Sequence, residues 1–346
     1  MLPYLLILSL VMCWILLEKK AFNRKAFWFP LFVLSVFAGI RSWLVGTDSG
    51  TYTRRFRENL DIDSFQFEEG VEIGFQVLEH LLLSSIKNYS WLFLVTAIFV
   101  IYCYLNIIKK HSVNYSLSIF LYITTGLYTF FFNGLRQGIA MAIFTFAFPY
   151  LLEKKIIHYI LICSIASLFH ITALFMIPFY FIVNLNIKPI YKILATFLGS
   201  LIVSRFLLLY IASTNARYES YTESAENSGG LLTLTFYVFI LIIMLFISRI
   251  YKFKDEKFKK LLTFYGSGIV FIIPLAMIGT NPSGPQRLIT YFTWTLFLLV
   301  PIILKKINNV YVTNLMIIFF LFYFILVTSK FGDLIPYTIN PIFEIF

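Results

Sequence analysis

Residues 156–183 read IIHYILICSIASLFHITALFMIPFYFIV, an apolar run of 28 residues that decides how the chain crosses a membrane. The run is long for one membrane-spanning helix, which needs about 20 residues, and short for two. Lysines flank it on both sides, at 154–155 and at Lys188. Because basic residues concentrate in cytoplasmic loops, both ends of the run should lie inside. We therefore predict a short re-entrant-like hairpin over 156–184, with His170 at its outer tip.

The composition indicates that the bilayer is the solvent for most of this chain of 346 residues. Apolar residues make up 60% and charged residues 13%, whereas soluble proteins are about half apolar and about a quarter charged. Further apolar runs that could span lie at 2–17, 27–45, 91–108, 115–132, 138–152, 190–212, 231–248, 261–280, 288–304 and 312–328. Together with the hairpin they predict an all-α, polytopic membrane protein with about 12 transmembrane helices, forming one integral membrane domain over 1–346.

The charge distribution sets the predicted orientation. The net charge of +11 comes from short basic clusters between apolar runs, a pattern that encodes membrane topology and excludes a nucleic-acid partner. With the hairpin, 18 of the 28 basic residues and only 4 of the 17 acidic residues fall inside, including the basic segment 249–260. Both termini are then extracytoplasmic. The first apolar run has no basic residues before it and no cleavage site after it, so we expect an uncleaved first span.

Two extracytoplasmic loops follow from this orientation, at 46–90 and 213–230. The first contains a segment near 71–86 with helical periodicity, about 22 Å long and too short to span. One face carries Val71, Phe75, Leu78 and Leu82, and another carries Glu72, Gln76, Glu79 and His80. We predict an amphipathic helix at the outer membrane interface.

Four arginines from separate parts of the chain fall at the predicted outer surface, where they oppose the orientation signal. They are Arg41, Arg136, Arg217 and Arg287, accompanied by Gln137, Tyr221 and Tyr291. Guanidinium groups bind phosphates through two parallel hydrogen bonds. The set predicts a site for a phosphorylated or pyrophosphorylated lipid headgroup. The alternatives are that Arg41 snorkels to the interface, that Arg287 is an interfacial anchor, and that Arg136 and Arg217 are solvated loop residues. For Arg217, the neighbouring glutamates favour the solvated loop.

Three outer residues could serve as an acid or a base. Asp48 lies in a turn flanked by glycines, Glu72 lies in the first outer loop, and His170 stands alone among apolar residues. The alternatives are helix capping for Asp48 and a satisfied core position for His170. No nucleotide-binding fingerprint and no metal-ligand spacing is present, so we predict neither a cofactor nor a metal.

Several short motifs occur in a characteristic order along this pattern of spans. They are Val45-Gly46-Thr47-Asp48 with Tyr52, Glu72-Ile73-Gly74-Phe75, Arg136-Gln137-Gly138-Ile139-Ala140, Leu168-Phe169-His170-Ile171-Thr172-Ala173, and Arg287 with Tyr291. The chain in this respect resembles the EpsG family, part of the wider group of Wzy-type polysaccharide polymerases. The family's usual Glu-Pro-Gly-Phe-like element reads Glu72-Ile-Gly-Phe in this chain.

The resemblance implies a glycosyltransferase that joins oligosaccharide repeat units carried on undecaprenyl pyrophosphate. It places the reaction at the outer face of the bacterial cytoplasmic (inner) membrane, for capsule, exopolysaccharide or O-antigen. A flippase and a chain-length regulator are the partner proteins that this role implies. The general base stays open among Asp48, His170 and Glu72.

Other functions would use the same residues differently. A transporter or flippase of lipid-linked oligosaccharide would bind through the arginines without chemistry. Such a protein should have polar groups through the bilayer depth and on both faces. In this chain the inside loops are short and carry no such pattern of polar groups. An O-acyltransferase would need a histidine near an inner or mid-membrane entry. A glycan ligase performs the same chemistry, and the sequence hardly separates it from a polymerase.

Overall fold

The computed structural model describes residues 1–58, 60–214, 229–277 and 284–343. Arg217, Tyr221 and most of the predicted outer loop 213–230 lie outside the described residues. Within those ranges the chain is helical and contains no strand; one isolated antiparallel bridge joins Arg41 to Ile339. The predicted all-α class is confirmed.

The helices follow one another with short connections. In chain order they are α1 (Leu2–Phe22), α2 (Trp28–Gly39), α3 (Ser49–Arg57), α4 (Ile73–Ser85), α5 (Tyr89–His111), α6 (Tyr115–Thr124), α7 (Leu127–Asn133), α8 (Leu135–Phe144), α9 (Phe148–Leu152), α10 (Ile156–Ser167), α11 (Ile177–Asn184), α12 (Pro189–Thr214), α13 (Gly229–Tyr251), α14 (Glu256–Met277), α15 (Thr290–Thr293), α16 (Leu296–Ile307) and α17 (Val310–Lys330).

The chain is a multi-pass membrane protein, but the prediction of about 12 spans is not confirmed. In the described residues, seven helices are long and apolar enough to cross a bilayer: α1, α5, Tyr115–Asn133, Leu135–Leu152, α13, α14 and α17. Gln286–Thr293 and Leu296–Ile307, bent by 48°, would make an eighth. Three other apolar runs form shorter helices, at Trp28–Gly39, Ile156–Ser167 and Ile171–Asn184, and α12 contributes the apolar stretch Pro189–Ser204.

The second predicted span shows why some runs fall short. The sequence predicts it over 27–45, yet α2 ends at Gly39 after 12 residues, a length of about 18 Å. The backbone then leaves the helix to pair with the C-terminal tail. The Asn340 amide donates to the carbonyl of Ile40 at 2.8 Å, and the Ser42 amide donates to the carbonyl of Thr338 at 2.9 Å.

The hairpin predicted over 156–184 is present. Helix α10 ends at Ser167, and the chain resumes as a 3₁₀ segment that leads into α11. The Tyr159 hydroxyl donates to the carbonyl of Met176 at 2.8 Å, and the rings of Tyr159 and Tyr180 are 5.2 Å apart. In one continuous helix, 17 residues would separate the first pair by about 25 Å. The chain therefore turns back at 168–170, where His170 lies.

The contacts divide the chain into two compact units, and the first contains 1–147, 161–174 and 308–346. Helix α5 is its centre and packs against α2, α6 and α8, while α1 packs against α2 and α6, and α17 packs against α6. The C-terminal tail belongs to this unit: the hydroxyl of Tyr4 donates to the carbonyl of Leu334 at 2.8 Å.

The second unit contains 148–160 and 175–307. Helix α14 is its centre and packs against α11, α12, α13 and α16. Two glycines of α14 allow this close approach, since a Cβ at Gly266 would lie 2.5 Å from Cδ1 of Ile193 and one at Gly268 would overlap the ring of Phe292. Small residues bring membrane helices together in this way. The single domain predicted over 1–346 stays a prediction.

The helix predicted near 71–86 is present as α4. Its buried face mixes polar and apolar side chains, namely Phe75, Gln76, Glu79 and Leu83. Ile73, Val77 and Leu81 are instead exposed. The face of α4 that packs against the protein therefore contains both polar and apolar side chains, and Ile73, Val77 and Leu81 form an exposed apolar stripe. Its position at the outer interface stays a prediction.

Candidate functional site

The turn that carries Asp48 is held by its backbone in the first unit. Gly46 has a φ of 102°, and a Cβ there would lie 2.7 Å from the carbonyl oxygen of Phe132. The Gly46 amide donates to the carbonyl of Asp333, and the Thr47 amide donates to Oδ1 of Asn133 at 2.7 Å. These contacts fix the turn against the residues that lead into α8, three positions before Arg136.

Arg136 and Glu72 form the ion pair at the centre of the candidate site. Arg136 follows the first residue of α8, and Glu72 is the N-cap of α4. Nη1 of Arg136 lies 2.6 Å from Oε2 of Glu72, and the two side chains are 20% and 11% exposed. The other carboxylate oxygen, Oε1, accepts from the amide of Ile171 at 3.2 Å. Glu72 therefore links the start of α8 to the tip of the hairpin.

A glycine makes this link possible. The Gly74 amide donates to the carbonyl of Leu168 at 2.8 Å. A Cβ at position 74 would lie 2.7 Å from that same oxygen, closer than a carbon atom can approach without displacement. The element Glu72-Ile-Gly-Phe thus has a local structural reason: its glutamate and its glycine both bind the main chain of the hairpin tip.

His170 lies half-buried at that tip. Its Nδ1 is 2.7 Å from Oγ1 of Thr172 and 3.4 Å from the Thr172 amide nitrogen. Because an amide can only donate, Nδ1 acts as the acceptor and a neutral ring carries its proton on Nε2. The imidazole is therefore oriented by the residue two positions later, a local effect of the turn.

A second polar cluster lies beside α4, and sequence reasoning did not identify it as a site. Nη2 and Nη1 of Arg55 bind Glu68 at 2.8 Å and Glu79 at 2.9 Å, and its guanidinium covers the ring of Phe65 at 4.3 Å. Burial raises the pKa of the Glu79 carboxyl above its usual value. Gln76 completes the cluster by donating to the carbonyl of Val71 at 2.8 Å. The polar positions of α4 could have indicated this cluster from the sequence, but nothing in the sequence identified Arg55 on α3 as their partner.

Arg41 is completely buried, with 0% exposure. Its guanidinium lies between two aromatic rings, 3.6 Å from the centre of Phe93 and 4.2 Å from that of Phe132. Nη1 donates to the carbonyl of Ala38, whereas Nε and Nη2 have no hydrogen-bond partner among the described residues. The arrangement encloses a cation inside the first unit and does not present it at a surface.

The remaining predicted site residues are distributed over both units. Asp48 is half-buried at the N-cap of α3 and its side chain makes no capping hydrogen bond. Gln137 is buried next to Arg136. Arg287 is half-buried and Tyr291 fully buried in the second unit. The convergence of four arginines stays a prediction, since Arg41 and Arg136 belong to the first unit, Arg287 belongs to the second, and Arg217 lies outside the described residues. In the described residues, no group of three or more His, Cys, Asp or Glu side chains could hold a metal ion.

Direct contacts therefore connect three of the predicted motifs in the first unit: Glu72 with Gly74, Arg136, and the hairpin tip at 168–171. The Gly46–Asp48 turn belongs to the same unit and contacts Asn133, three residues before Arg136. The EpsG family model matches residues 24–339, which contain all of them. The family consists of Wzy-type polysaccharide polymerase-like proteins. A comparison with curated proteins and one with solved structures gave no significant match.

Proposed function

The chain belongs to the EpsG family, and from that premise we propose that it polymerises polysaccharide from oligosaccharide units carried on polyprenyl pyrophosphate. The family supports a glycosyltransferase-like polymerase in a multi-pass membrane protein. The donor lipid, undecaprenyl pyrophosphate, and the outer face of the bacterial cytoplasmic membrane as the place of reaction are parts of the proposal. The observation that supports it best is the Glu72–Arg136 pair docked on the hairpin tip beside His170.

The proposed reaction needs no nucleotide. The hydroxyl of the acceptor repeat unit attacks the anomeric carbon of the donor glycan, and the bond from that carbon to the pyrophosphate oxygen breaks. The pyrophosphate leaves with the electron pair, and the hydroxyl proton passes to a base. Negative charge develops on the leaving group, so a guanidinium placed there in advance stabilises the transition state.

We assign Arg136 to the pyrophosphate. A guanidinium has five N–H donors in a planar fork, and the 2.6 Å contact with Glu72 fixes its plane from one side. Glu72 accepts from Arg136 and from the amide of Ile171. Both carboxylate oxygens are therefore already engaged with protein groups. Glu72 is therefore a positioning residue in this proposal.

His170 and Asp48 divide the remaining roles. Because Nδ1 of His170 accepts from the Thr172 amide, a neutral ring carries its proton on Nε2, and we propose that this N–H donates to a phosphate oxygen of the bound substrate. Asp48 is then the proposed base for the acceptor hydroxyl. Its turn is tied by Thr47 to Asn133, three residues before Arg136. Base and pyrophosphate ligand are thus anchored on one short segment.

Other residues remain proposed substrate contacts without a described geometry toward the Glu72–Arg136 pair. They are Gln137, Arg217, Tyr221, Arg287 and Tyr291. Arg41, which the sequence also suggests, is enclosed by the rings of Phe93 and Phe132 and is given no substrate contact in this proposal. A flippase and a chain-length regulator remain proposed partners, on the family resemblance alone.

The test is a reconstituted reaction. The purified chain is incubated with a synthetic polyprenyl-pyrophosphate repeat unit, and the products are separated on a gel. A ladder of increasing glycan length supports polymerisation, and its loss in Asp48→Asn and His170→Ala, with Arg54→Lys unaffected, supports the assigned roles. Arg54 is a matched control because it is an exposed residue of α3 in the same unit. Transfer of a single unit to a different lipid acceptor, without a ladder, would instead identify a ligase.

A further inference from the structure

A cleft of about 280 Å³ in the second unit lies where α11 ends and where α12 and α14 begin. Five lysines and one glutamate line it: Lys154, Lys188, Lys192, Lys259, Lys260 and Glu256. Glu256 is paired with Lys259 at 2.7 Å. The lining therefore keeps a strong positive charge, on the side that the charge distribution of the sequence predicts to be cytoplasmic.

Two of these lysines are held against carbonyl groups. Lys192 is 8% exposed, and its Nζ donates to the carbonyl of Val183 at 2.8 Å. Nζ of Lys260 donates to the carbonyl of Leu152 at 2.6 Å. Within the described ranges, neither forms an ion pair with a carboxylate. A buried ammonium is costly unless an anion accompanies it, so the cleft favours an anionic occupant.

An apolar groove of about 760 Å³ continues from the cleft within the same unit, a volume in the usual range of about 300–1,000 Å³ for small-molecule sites. Lys192, Leu185 and Ile187 line both cavities. One face of α12 then forms the groove wall from Tyr191 to Val203. The rise of the helix from residue 191 to residue 203 is about 18 Å, which is close to the thickness of one leaflet, half of a hydrocarbon core of about 30 Å.

We propose that the cleft and the groove form a binding site for an anionic phospholipid, with its phosphate among the lysines and an acyl chain along α12. The two parts demand such an occupant together. A soluble anion would satisfy the lysines and leave the apolar groove uncovered, whereas a neutral lipid would fill the groove and leave the lysines without an anion. Basic pockets between membrane helices bind anionic headgroups on this principle.

Gly199 offers a test that leaves the lysines untouched. It lines the groove on α12, and a Cβ at this position would meet no atom within 4 Å. A large side chain introduced there therefore starts in open space on the wall of the groove. Gly199→Phe should exclude the acyl chain, while the double variant Lys188→Gln/Lys192→Gln should weaken the phosphate site.

The experiment measures lipid retained by the purified full chain in neutral detergent, by native mass spectrometry. Dioleoyl phosphatidylglycerol should bind more strongly than dioleoyl phosphatidylcholine. Its affinity should decrease as the salt concentration increases. The double lysine variant should lose about thirtyfold in affinity, and Gly199→Phe should lose detectable binding. The matched control Lys252→Gln/Lys254→Gln removes two exposed lysines outside the cleft and should bind as the unchanged chain does.

Several outcomes would overturn the proposal. Equal retention of the two phospholipids would show that charge does not select the occupant, and unchanged binding by Gly199→Phe would show that no chain enters the groove. Displacement of phosphatidylglycerol by an equal concentration of undecaprenyl phosphate would assign the site to the carrier lipid. Equally strong competition by inorganic phosphate would show that only the lysine cleft binds the ligand and that the apolar groove contributes nothing.

Discussion

Replacing Arg136 with lysine separates the charge at the candidate site from its geometry. The ammonium of lysine can keep the ion pair with Glu72, which is 11% exposed and 2.6 Å from the guanidinium. It cannot supply two parallel hydrogen bonds to a phosphate. We therefore expect Arg136→Lys to reach the membrane at near-normal abundance and to lose the transition-state contact. A contact of this type contributes about 2.7–4 kcal/mol, which corresponds to a hundred- to a thousandfold loss in polymerisation rate.

The stability cost can be worked separately with Arg136→Ala. This change leaves the half-enclosed Glu72 carboxylate with the 3.2 Å hydrogen bond from Ile171. Breaking a fully buried ion pair costs about 3–5 kcal/mol, and the 20% exposure of Arg136 places the expected cost nearer 1–3 kcal/mol. The double variant Arg136→Met/Glu72→Gln removes both charges and should recover abundance. It should not recover activity.

The assay measures ladder formation per unit of protein in the membrane fraction, with Arg54→Lys as control. Normal polymer from Arg136→Lys would refute the assignment of Arg136 to the pyrophosphate, because the fork geometry would then be irrelevant. Recovery of polymer in the double variant would refute it as well. Each result would leave the ion pair with a structural role only.

Three further predictions follow from other contacts. Gly74→Ala should lower the stability by about 1–3 kcal/mol through overlap with the main chain of the hairpin tip, whereas Gly199→Ala in an open part of α12 should raise it by about 0.5–1 kcal/mol; thermal unfolding in detergent measures both. Burial raises the pKa of the Glu79 carboxyl, so the folded protein binds its proton more tightly than the unfolded chain does. The protein should therefore be more stable at low pH and lose this stability as the pH rises through the raised pKa. Glu79→Gln should remove that dependence, which is measured by comparing melting temperatures at about pH 4 and pH 8. Single cysteines at Ser220 and Lys254 in a cysteine-free chain test the orientation: an impermeant thiol reagent on intact cells should label the first and spare the second, and the reverse pattern would contradict it.

The hairpin was predictable because two independent quantities constrain it. Its length is wrong for one span, and the lysines at both ends must lie on the same side of the membrane. The contact between Tyr159 and Met176 confirms the reversal. Charge and length act through the bilayer and need no knowledge of neighbouring helices, which is why a single sequence carries them.

The end of α2 was not predictable on the same grounds. Its apolar run continues to position 45, but the backbone stops being helical after Gly39 and pairs with residues near 340. The residues that pair with it lie about 300 positions away in the chain, and no local sequence pattern predicts this contact. The contact of Arg55 with Glu79 is similar, because it joins side chains of α3 and α4 that lie 24 positions apart in the chain. Sequence periodicity gives the faces of a helix but not the neighbour that each face meets.

The burial of Arg41 distinguishes it from Arg136. By sequence, the arginines predicted at the outer surface are equivalent cations. In the structure, the guanidinium of Arg41 is enclosed, whereas that of Arg136 is paired with a carboxylate and partly exposed. Arg41 is held by the rings of Phe93 and Phe132, so π contacts already contribute to balancing its charge. Arg136 has a carboxylate that orients it and keeps 20% of its side chain exposed. An arginine that binds the phosphate of the substrate must be accessible to it, and in the first unit this requirement favours Arg136 over Arg41.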